Sequence, residues 1–339
     1  MMDEIIQKAI RHNEAVRKTN VPWKADEPYH QPYFTFDGIK QEWVPRDVEA
    51  PRQEYSEQGR AGITRLALLS WNIDFMLPYP EDRMCLGLST LQDLISKLPK
   101  STAFVIYLQE CVISDLSTIE KQLWVRERFN ITDLEGNNWT SGHYGTTTLI
   151  DRRLPITSLF RVHYEKTRME RDAFFVDVSM GPTQPETVRL CNTHLESLAF
   201  EPPFRPPQVQ LFAKYMHESQ LHGAVAAGDF NAIQDFDRSL HEENGLKDAY
   251  LELGGKEDSD EGYTWGQQAA TQLRDKFGCS RMDKVYYCGR LNLLGFERFG
   301  ADVQLQHKGQ RERILSLGFE KPWITDHLGV MAEFEVVEQ

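Results

Sequence analysis

Three stretches of this chain are almost uniformly apolar, and each ends on a polar residue: ALLSWN (67–72), AFVIYLQE (103–110) and AVAAGDFN (224–231); TVRLCNTHLES (187–197) is also strand-like and carries a histidine near its end. A strand with one wet face alternates apolar and polar residues; a short run without alternation reads as a strand buried on both faces. Between the runs lie helical patterns. CLGLSTLQDLISKLP has apolar residues at helical spacing and a proline stop, and PPQVQLFAKYMHESQLHG is entered through prolines. TTTLIDRRLPI, AFFVDVSM, GYTWG, RMDKVYYCG and GVMAEFEVVE read as further strands, some adjacent enough to suggest hairpins. Strands buried on both faces must be covered by helices or by another sheet. The expected fold is therefore α/β, with mixed sheets under helical layers.

With 339 residues, 40% of them hydrophobic, the chain can bury one large core or two ordinary ones. Residues 1–61 have a different texture. DEIIQKAIRHNEAVRK places Ile5, Ile6, Ala9, Ile10 and Val16 near helical spacing, which predicts a short amphipathic helix. The segment after it is rich in proline, charge and aromatics (Trp23, Tyr29, Tyr33, Phe34, Phe36, Trp43). It reads as an extended arm on a surface, with a partly disordered tail as the alternative. The organisation expected is an N-terminal helix and arm (1–61) followed by a catalytic domain (62–339).

No run of about 18 apolar residues predicts a membrane span. The first residues lack the uninterrupted apolar centre of a secretory signal. Five cysteines, odd in number and without CxxC spacing, read as reduced thiols of an intracellular protein, in nucleus, cytoplasm or both. The formal net charge of −13 argues against a general coat for nucleic acid. It leaves room for an enzyme that meets phosphates through a metal ion and local basic groups. Candidates for such groups are Arg152–Arg153, Lys166–Arg168–Arg171, Arg274–Lys276 and Arg281–Lys284.

The polar residues at the strand ends are Asn72, Glu110, His194, Asp229 with Asn231, Asp283, and Asp326 with His327. Buried polar groups cost free energy unless paired, so these must find partners. Each has an ordinary explanation alone: a turn for GDFN, a satisfied structural histidine for His194, an ion pair for Asp283, a cap for Asp326–His327, core packing for Trp71 and Trp265. Eight such residues at six places in one chain point instead to a shared site. Carboxylate and amide oxygens suit a hard cation, Mg²⁺ or Mn²⁺ in its place, and the lack of a His or Cys cluster disfavours zinc. The chemistry that fits is metal-assisted hydrolysis of a phosphate ester. In it Asp229 orients or deprotonates a water and Asn231 donates to a non-bridging oxygen. His327, held in its tautomer by Asp283, donates to the growing charge.

The ordered motifs SWN, LQE, NTHLE, GDFN, RMDKV and TDH resemble those of the endonuclease/exonuclease/phosphatase superfamily, the DNase-I-like fold. The resemblance implies a four-layer sandwich of two packed mixed β-sheets flanked by helices, with the site at the strand ends. It implies Mg²⁺ on Glu110 with Asn72 and Asp326 close by, Asp229 as the water-activating carboxylate, and Asp283 paired with His327. LLSWNID, THLES, EKTRMERDAFFVDV and YTWG are similar to the tyrosyl-DNA phosphodiesterase 2 branch. That branch releases tyrosine from DNA 5′ ends left by trapped topoisomerase II, so the implied substrate is a DNA 5′ end with a tyrosyl adduct. Trp265 and Arg281 are the candidate substrate contacts. The sequence departs from the branch at Phe75, where animal members carry Gly, and at Ile233, where they carry Arg. The first 60 residues also lack the look of the ubiquitin-binding module of those members.

Competing expectations keep the fold and change the substrate to an abasic site, an RNA tail, an inositol phosphate or sphingomyelin. A further alternative is a non-catalytic binding protein. An Asp229→Ala change that raised thermal stability would fit a functional site whose charges repel one another without metal.

Overall fold

The unalternating runs lie at the centres of two sheets. The computed structural model describes residues 2–48, 63–181 and 186–337. Strand Arg65–Asn72 runs parallel to Thr102–Val112, and Glu186–His194 runs parallel to Gly223–Asp229. Antiparallel neighbours extend each pair into a mixed sheet, one of eight strands and one of seven among the described residues. Leu66, Leu68, Val105 and Tyr107 of the first sheet meet Phe174, Val176, Leu190, Val225 and Val285 of the second in a core between the sheets. The outer face of the first, through Ala67, Leu69, Ile106 and Leu108, is covered by Met84, Leu88, Leu91 and Ile95 of helix Pro80–Lys97. Helix Arg205–Met216 covers Phe175, Cys191, Ala224 and Ala226 of the second with Val209, Phe212 and Met216. The result is four layers, α–β–β–α. Each fully buried Leu, Val or Phe contributes roughly 1.5–3 kcal/mol relative to exposure, which explains why the central strands have no polar face.

Both helices start where their sequences place a proline in the first turn. Proline costs nothing there because its missing N–H would have had no partner in the helix. The first helix also has Glu81 and Asp82 in its first turn and Lys97 in its last, the favourable order for its dipole.

Three expectations need correction. GYTWG is not a strand: among these residues Trp265 makes isolated bridges to Ser280 and His327. TTTLIDRRLPI is not one strand: Tyr144–Asp151 ends inside it and Ile156–His163 begins at its last residue, in the other sheet. The segment between them carries the chain across. The aromatic arm does more than lie on a surface. Pro28–His30 adds to the edge of the seven-stranded sheet beside Ile156–His163. Tyr33–Asp37 and Glu42–Arg46 form a hairpin that extends the eight-stranded sheet beside Phe129–Ile131. Trp23 stacks on His163 with ring centres 4.1 Å apart, and Tyr33 and Phe36 are buried. The helix expected at the start spans Met2–Val16. The expected boundary at 61/62 lies outside the described residues. No helix among those described is long and apolar enough to cross a membrane.

Strand register brings the polar ends together. His194 is opposite Asp229, and Asp229 is opposite Asp283, so three site residues form one row across the seven-stranded sheet. In the other sheet Asn72 is opposite Gln109, one residue before Glu110. Gly228 sits one residue before this row, opposite Thr193 and Lys284, with φ of 152°, and a Cβ there would lie 1.7 Å from the Thr193 carbonyl oxygen. Only glycine lets the two strands keep this separation while Asp229 faces His194.

Candidate active site

Asp229 stands at the centre of a ring of donors. Its Oδ2 accepts from Asn72 Nδ2 at 3.0 Å and its Oδ1 from the Asn231 amide at 2.8 Å. His194 Nε2 lies 3.2 Å from Oδ2. Arg171 fixes the tautomer of that histidine. Its Nη1 is 2.7 Å from His194 Nδ1, and a guanidinium can only donate, so Nδ1 accepts and the proton sits on Nε2, facing Asp229. Burial, followed by the charge of Arg171, holds the His194 pKa below its ordinary value, consistent with a neutral ring. Burial alone would raise the Asp229 pKa. His327 and the donated hydrogen bonds outweigh it and keep the carboxyl well below the usual range.

His327 completes the cluster. Its Nδ1 lies 2.8 Å from Asp283 Oδ2. Its Nε2 is 3.7 Å from Asp229 and 3.8 Å from Asp326, too far to donate well to either, so that N–H is left for a third acceptor. Burial disfavours the imidazolium, but Asp283, Asp229 and Asp326 more than compensate and raise its pKa well above the ordinary value. Asp229, Asp283 and His327 can bring ligand atoms within 4.8 Å of one another. A cation there would have to displace the proton that His327 shares with Asp283.

A second group of oxygens lies beside this cluster, where the charges of Arg83 and His327 only partly offset the effect of burial on Asp74 and Asp326. Glu110 sits at φ of 59°, where the ladder to Tyr144–Asp151 is irregular between Leu108 and Cys111, and its Oε2 accepts from the Phe75 amide at 3.0 Å. Asp326 Oδ2 accepts from the Trp265 indole at 2.7 Å. Asp74 is buried and its Oδ2 has no hydrogen-bond partner among the described residues. Burial, then Asp326 and Glu110, push the Asp74 pKa well above its usual value. An unpartnered oxygen on Asp74 beside the mutually repelling carboxylates of Glu110 and Asp326 makes a donor set that a hard divalent cation neutralises, so the residues present fit Mg²⁺ or Mn²⁺. Asn72 joins the two groups: its Nδ2 donates to Asp229 and its Oδ1 accepts from the Asp74 amide at 2.9 Å.

The structure thus brings together Asn72, Glu110, His194, Asp229, Asn231, Asp283, Asp326 and His327. Asn231, at φ of 48°, donates through Nδ2 to the Leu195 carbonyl at 3.1 Å, and the same nitrogen lies 3.4 Å from Asp229 Oδ2 and 3.0 Å from His194 Nε2. Trp265 is buried, and its N–H is committed to Asp326. Arg281 lines a neighbouring cleft of 320 Å³, but its guanidinium is tied to Asp248 at 3.0 Å and to Glu257, which also receives Lys284 at 2.9 Å. Most of the other basic groups also have internal partners. Arg153 pairs with Asp151, Arg274 with Glu320, and Arg152 with the Arg126 and Phe36 carbonyls.

Residue-by-residue reading missed Asp74, and it took Arg171 only as one of a group of basic residues, not as the partner of His194. Asp74 had a signal in WNID. Arg171 had one only once THLES and EKTRMERD are joined: Glu196 accepts from Thr167 Oγ1 at 2.6 Å and from the Arg168 amide, and so holds the loop that presents Arg171 to His194.

A family model described as the Endonuclease/Exonuclease/phosphatase family matches residues 69–327. No curated protein matches the chain. Several solved structures share its fold. Truncated Caenorhabditis elegans TDP2 is 22% identical with a TM-score of 0.58, covering 80% of this chain and 98% of that one. D. rerio TDP2 complexed with single strand DNA product is 17% identical with a TM-score of 0.61, covering 80% and 99%. The human Nocturnin catalytic domain with bound sulfate anion is 18% identical with a TM-score of 0.54, covering 80% and 95%.

Proposed function

Because this chain belongs to the endonuclease/exonuclease/phosphatase family, a family of hydrolases, we propose that it is a Mg²⁺-dependent phosphodiesterase acting on DNA 5′ ends, 5′-tyrosyl adducts included. The observation that carries the reading is the juxtaposition of two unlike groups at the strand ends of the two sheets: Asp229 ringed by donors, and Glu110, Asp326 and Asp74, each accepting one hydrogen bond among the described residues. Glu110, Asp326 and Asp74 would hold the cation, with Asn72 aligned beside them. When bound, the cation supplies charge neutralisation at a phosphoryl oxygen and at the leaving oxygen.

The remaining roles belong to the chain itself. Asp229 orients the attacking water. Its depressed pKa makes it a weak base, so positioning outweighs proton abstraction. His194, fixed by Arg171, keeps the Asp229 carboxylate in place. The Nε2–H of His327 donates to the transition-state oxyanion, and the second amide proton of Asn231 donates to a non-bridging oxygen. A phenol leaves with a pKa of about 10, so a tyrosyl ester needs little general-acid help.

Two recesses support the substrate class. The cleft of 320 Å³ has Leu198, Ile233 and Phe277 on its walls, apolar groups on which nucleobases can rest. Beside Glu110, Phe75 stacks on Tyr144 with centres 4.2 Å apart, next to Arg171 and Met169 in a pocket of 90 Å³. We assign that pocket to the aromatic leaving group.

The deciding experiment is hydrolysis of a 5′-phosphotyrosyl oligonucleotide with Mg²⁺ and with EDTA. A plain oligonucleotide, an abasic duplex and an inositol phosphate run beside it. Metal-dependent release of tyrosine is expected. Metal-dependent turnover of another ester alone would keep the chemistry and discard the substrate. No turnover of any of them by folded protein would favour a binding role.

His327 gives a pH prediction. Its pKa is raised in the fold, so the donating imidazolium is present at low and neutral pH and is lost as pH rises through the folded value. The profile of kcat/KM should show an alkaline limb. Asp283→Asn removes the foremost group that raises this pKa, so the limb should move toward lower pH, with activity at pH 8 down about 10²-fold. An unmoved limb would remove His327 from the mechanism.

A further inference from the structure

Arg83 is fully buried in helix Pro80–Lys97, yet among the described residues it has no hydrogen-bonded carboxylate partner. Its guanidinium instead donates all five protons to backbone carbonyls. Nε reaches Pro78 at 3.0 Å, and Nη2 reaches Asp74 at 2.8 Å and Leu77 at 3.1 Å. Nη1 reaches Ile73 and, at 2.7 Å, Ile324. Four of these carbonyls belong to the loop that leaves strand Arg65–Asn72, and the fifth immediately precedes Thr325-Asp326-His327. Thr325 ties the same two segments from the other side, its Oγ1 donating to the Asn72 carbonyl at 2.8 Å.

We propose that Arg83 is a positioning residue that sets the cation affinity of the site by locking together the two loops that present its acidic oxygens. The inference rests on the reading of Glu110, Asp326 and Asp74 as the cation-holding group. The first loop carries Asp74 and the Phe75 amide that orients Glu110, and the second carries Asp326. A planar fork with five donors can gather five carbonyls, whereas a lysine ammonium has three protons on one atom. Groups that orient metal ligands from behind commonly alter metal affinity by about 10- to 100-fold when changed.

Charge and geometry make opposite forecasts here. As a positive charge, Arg83 competes with a cation, so losing it would tighten binding. As a clamp it fixes the ligands, so losing it would loosen binding. The geometric role is expected to dominate, since every proton of the group is directed at the two loops.

The test is the rise in melting temperature on adding Mg²⁺ to the full-length protein, titrated for wild type, Arg83→Lys and Arg83→Gln. Arg189→Lys serves as the stability control. Arg189 pairs with Asp177 and Glu218, five residues up its strand from His194. Both Arg83 variants should need about 10- to 100-fold more Mg²⁺ than wild type for the same rise in melting temperature, while Arg189→Lys lowers the melting temperature without changing the Mg²⁺ needed for that rise. If Arg83→Gln does not fold, Arg83→Lys carries the test alone. A wild-type Mg²⁺ requirement in Arg83→Lys, or a lower one in Arg83→Gln, overturns the proposal. A wild type that shows no rise with Mg²⁺ overturns the cation reading itself, and the inference with it.

Discussion

Replacing Asp229 by alanine is expected to reduce hydrolysis by about 10²–10⁴-fold, the range for losing the group that positions or activates the nucleophile. The same change is expected to lower the melting temperature. This reverses the sign that a purely repulsive acidic site would give. Asp229 accepts from Asn72 and the Asn231 amide, lies 3.2 Å from the protonated nitrogen of His194, and faces the raised imidazolium of His327. Removing it strands these buried donors, each at about 1–3 kcal/mol. Because its pKa is depressed by the fold, this stabilisation is present above the usual carboxylate range and is lost only as pH falls through the folded value. Asp229→Asn should not rescue stability, since its amide nitrogen would meet the protons of Asn72 and His194. Calorimetry with circular dichroism separates the two effects. A stabilised, inactive Asp229→Ala protein would disprove the ring-of-donors account.

The repulsion lies one group away, at Asp74. Its pKa is raised by burial and by Asp326 and Glu110, so the ionised form opposes folding. That opposition is absent below the ordinary carboxylate value and grows as pH rises toward the folded one. Asp74→Asn keeps the oxygen that accepts from Met76 and removes the charge. It should stabilise the metal-free protein by about 0.5–2 kcal/mol at neutral or higher pH, with no gain near pH 4. Wild type should gain about 2.7 kcal/mol at a Mg²⁺ concentration 100 times its dissociation constant. Asp74→Asn should gain markedly less. Thermal melts across pH, with Mg²⁺ and with EDTA, check all of this. Equal Mg²⁺ gains in the two proteins would remove Asp74 from the cation group.

Much of this molecule follows from local pattern. Runs with no polar face require burial on both sides, and with helical spacing between them they define a layered α/β fold. Polar residues at the ends of such strands had to be paired, which identified Asn72, Glu110, His194, Asp229, Asn231, Asp283 and Asp326–His327 before any partner was known. Gly228 was legible for the same reason, as a residue at a strand end beside a carboxylate.

What only the tertiary structure decided is which of these groups stabilise one another and which repel. The row His194–Asp229–Asp283 exists because one parallel and one antiparallel register coincide, and registers are long-range facts. Arg171 and Arg281 look alike as basic residues in a sequence. Burial against different neighbours directs one to His194 and the other to Asp248 and Glu257. Arg83 reads as an ordinary helical arginine, because the carbonyls it gathers carry no side-chain signal at all. Side-chain chemistry is written residue by residue, but the sign of an electrostatic interaction with the fold depends on distance and on exclusion of water, and both are set by the packed structure.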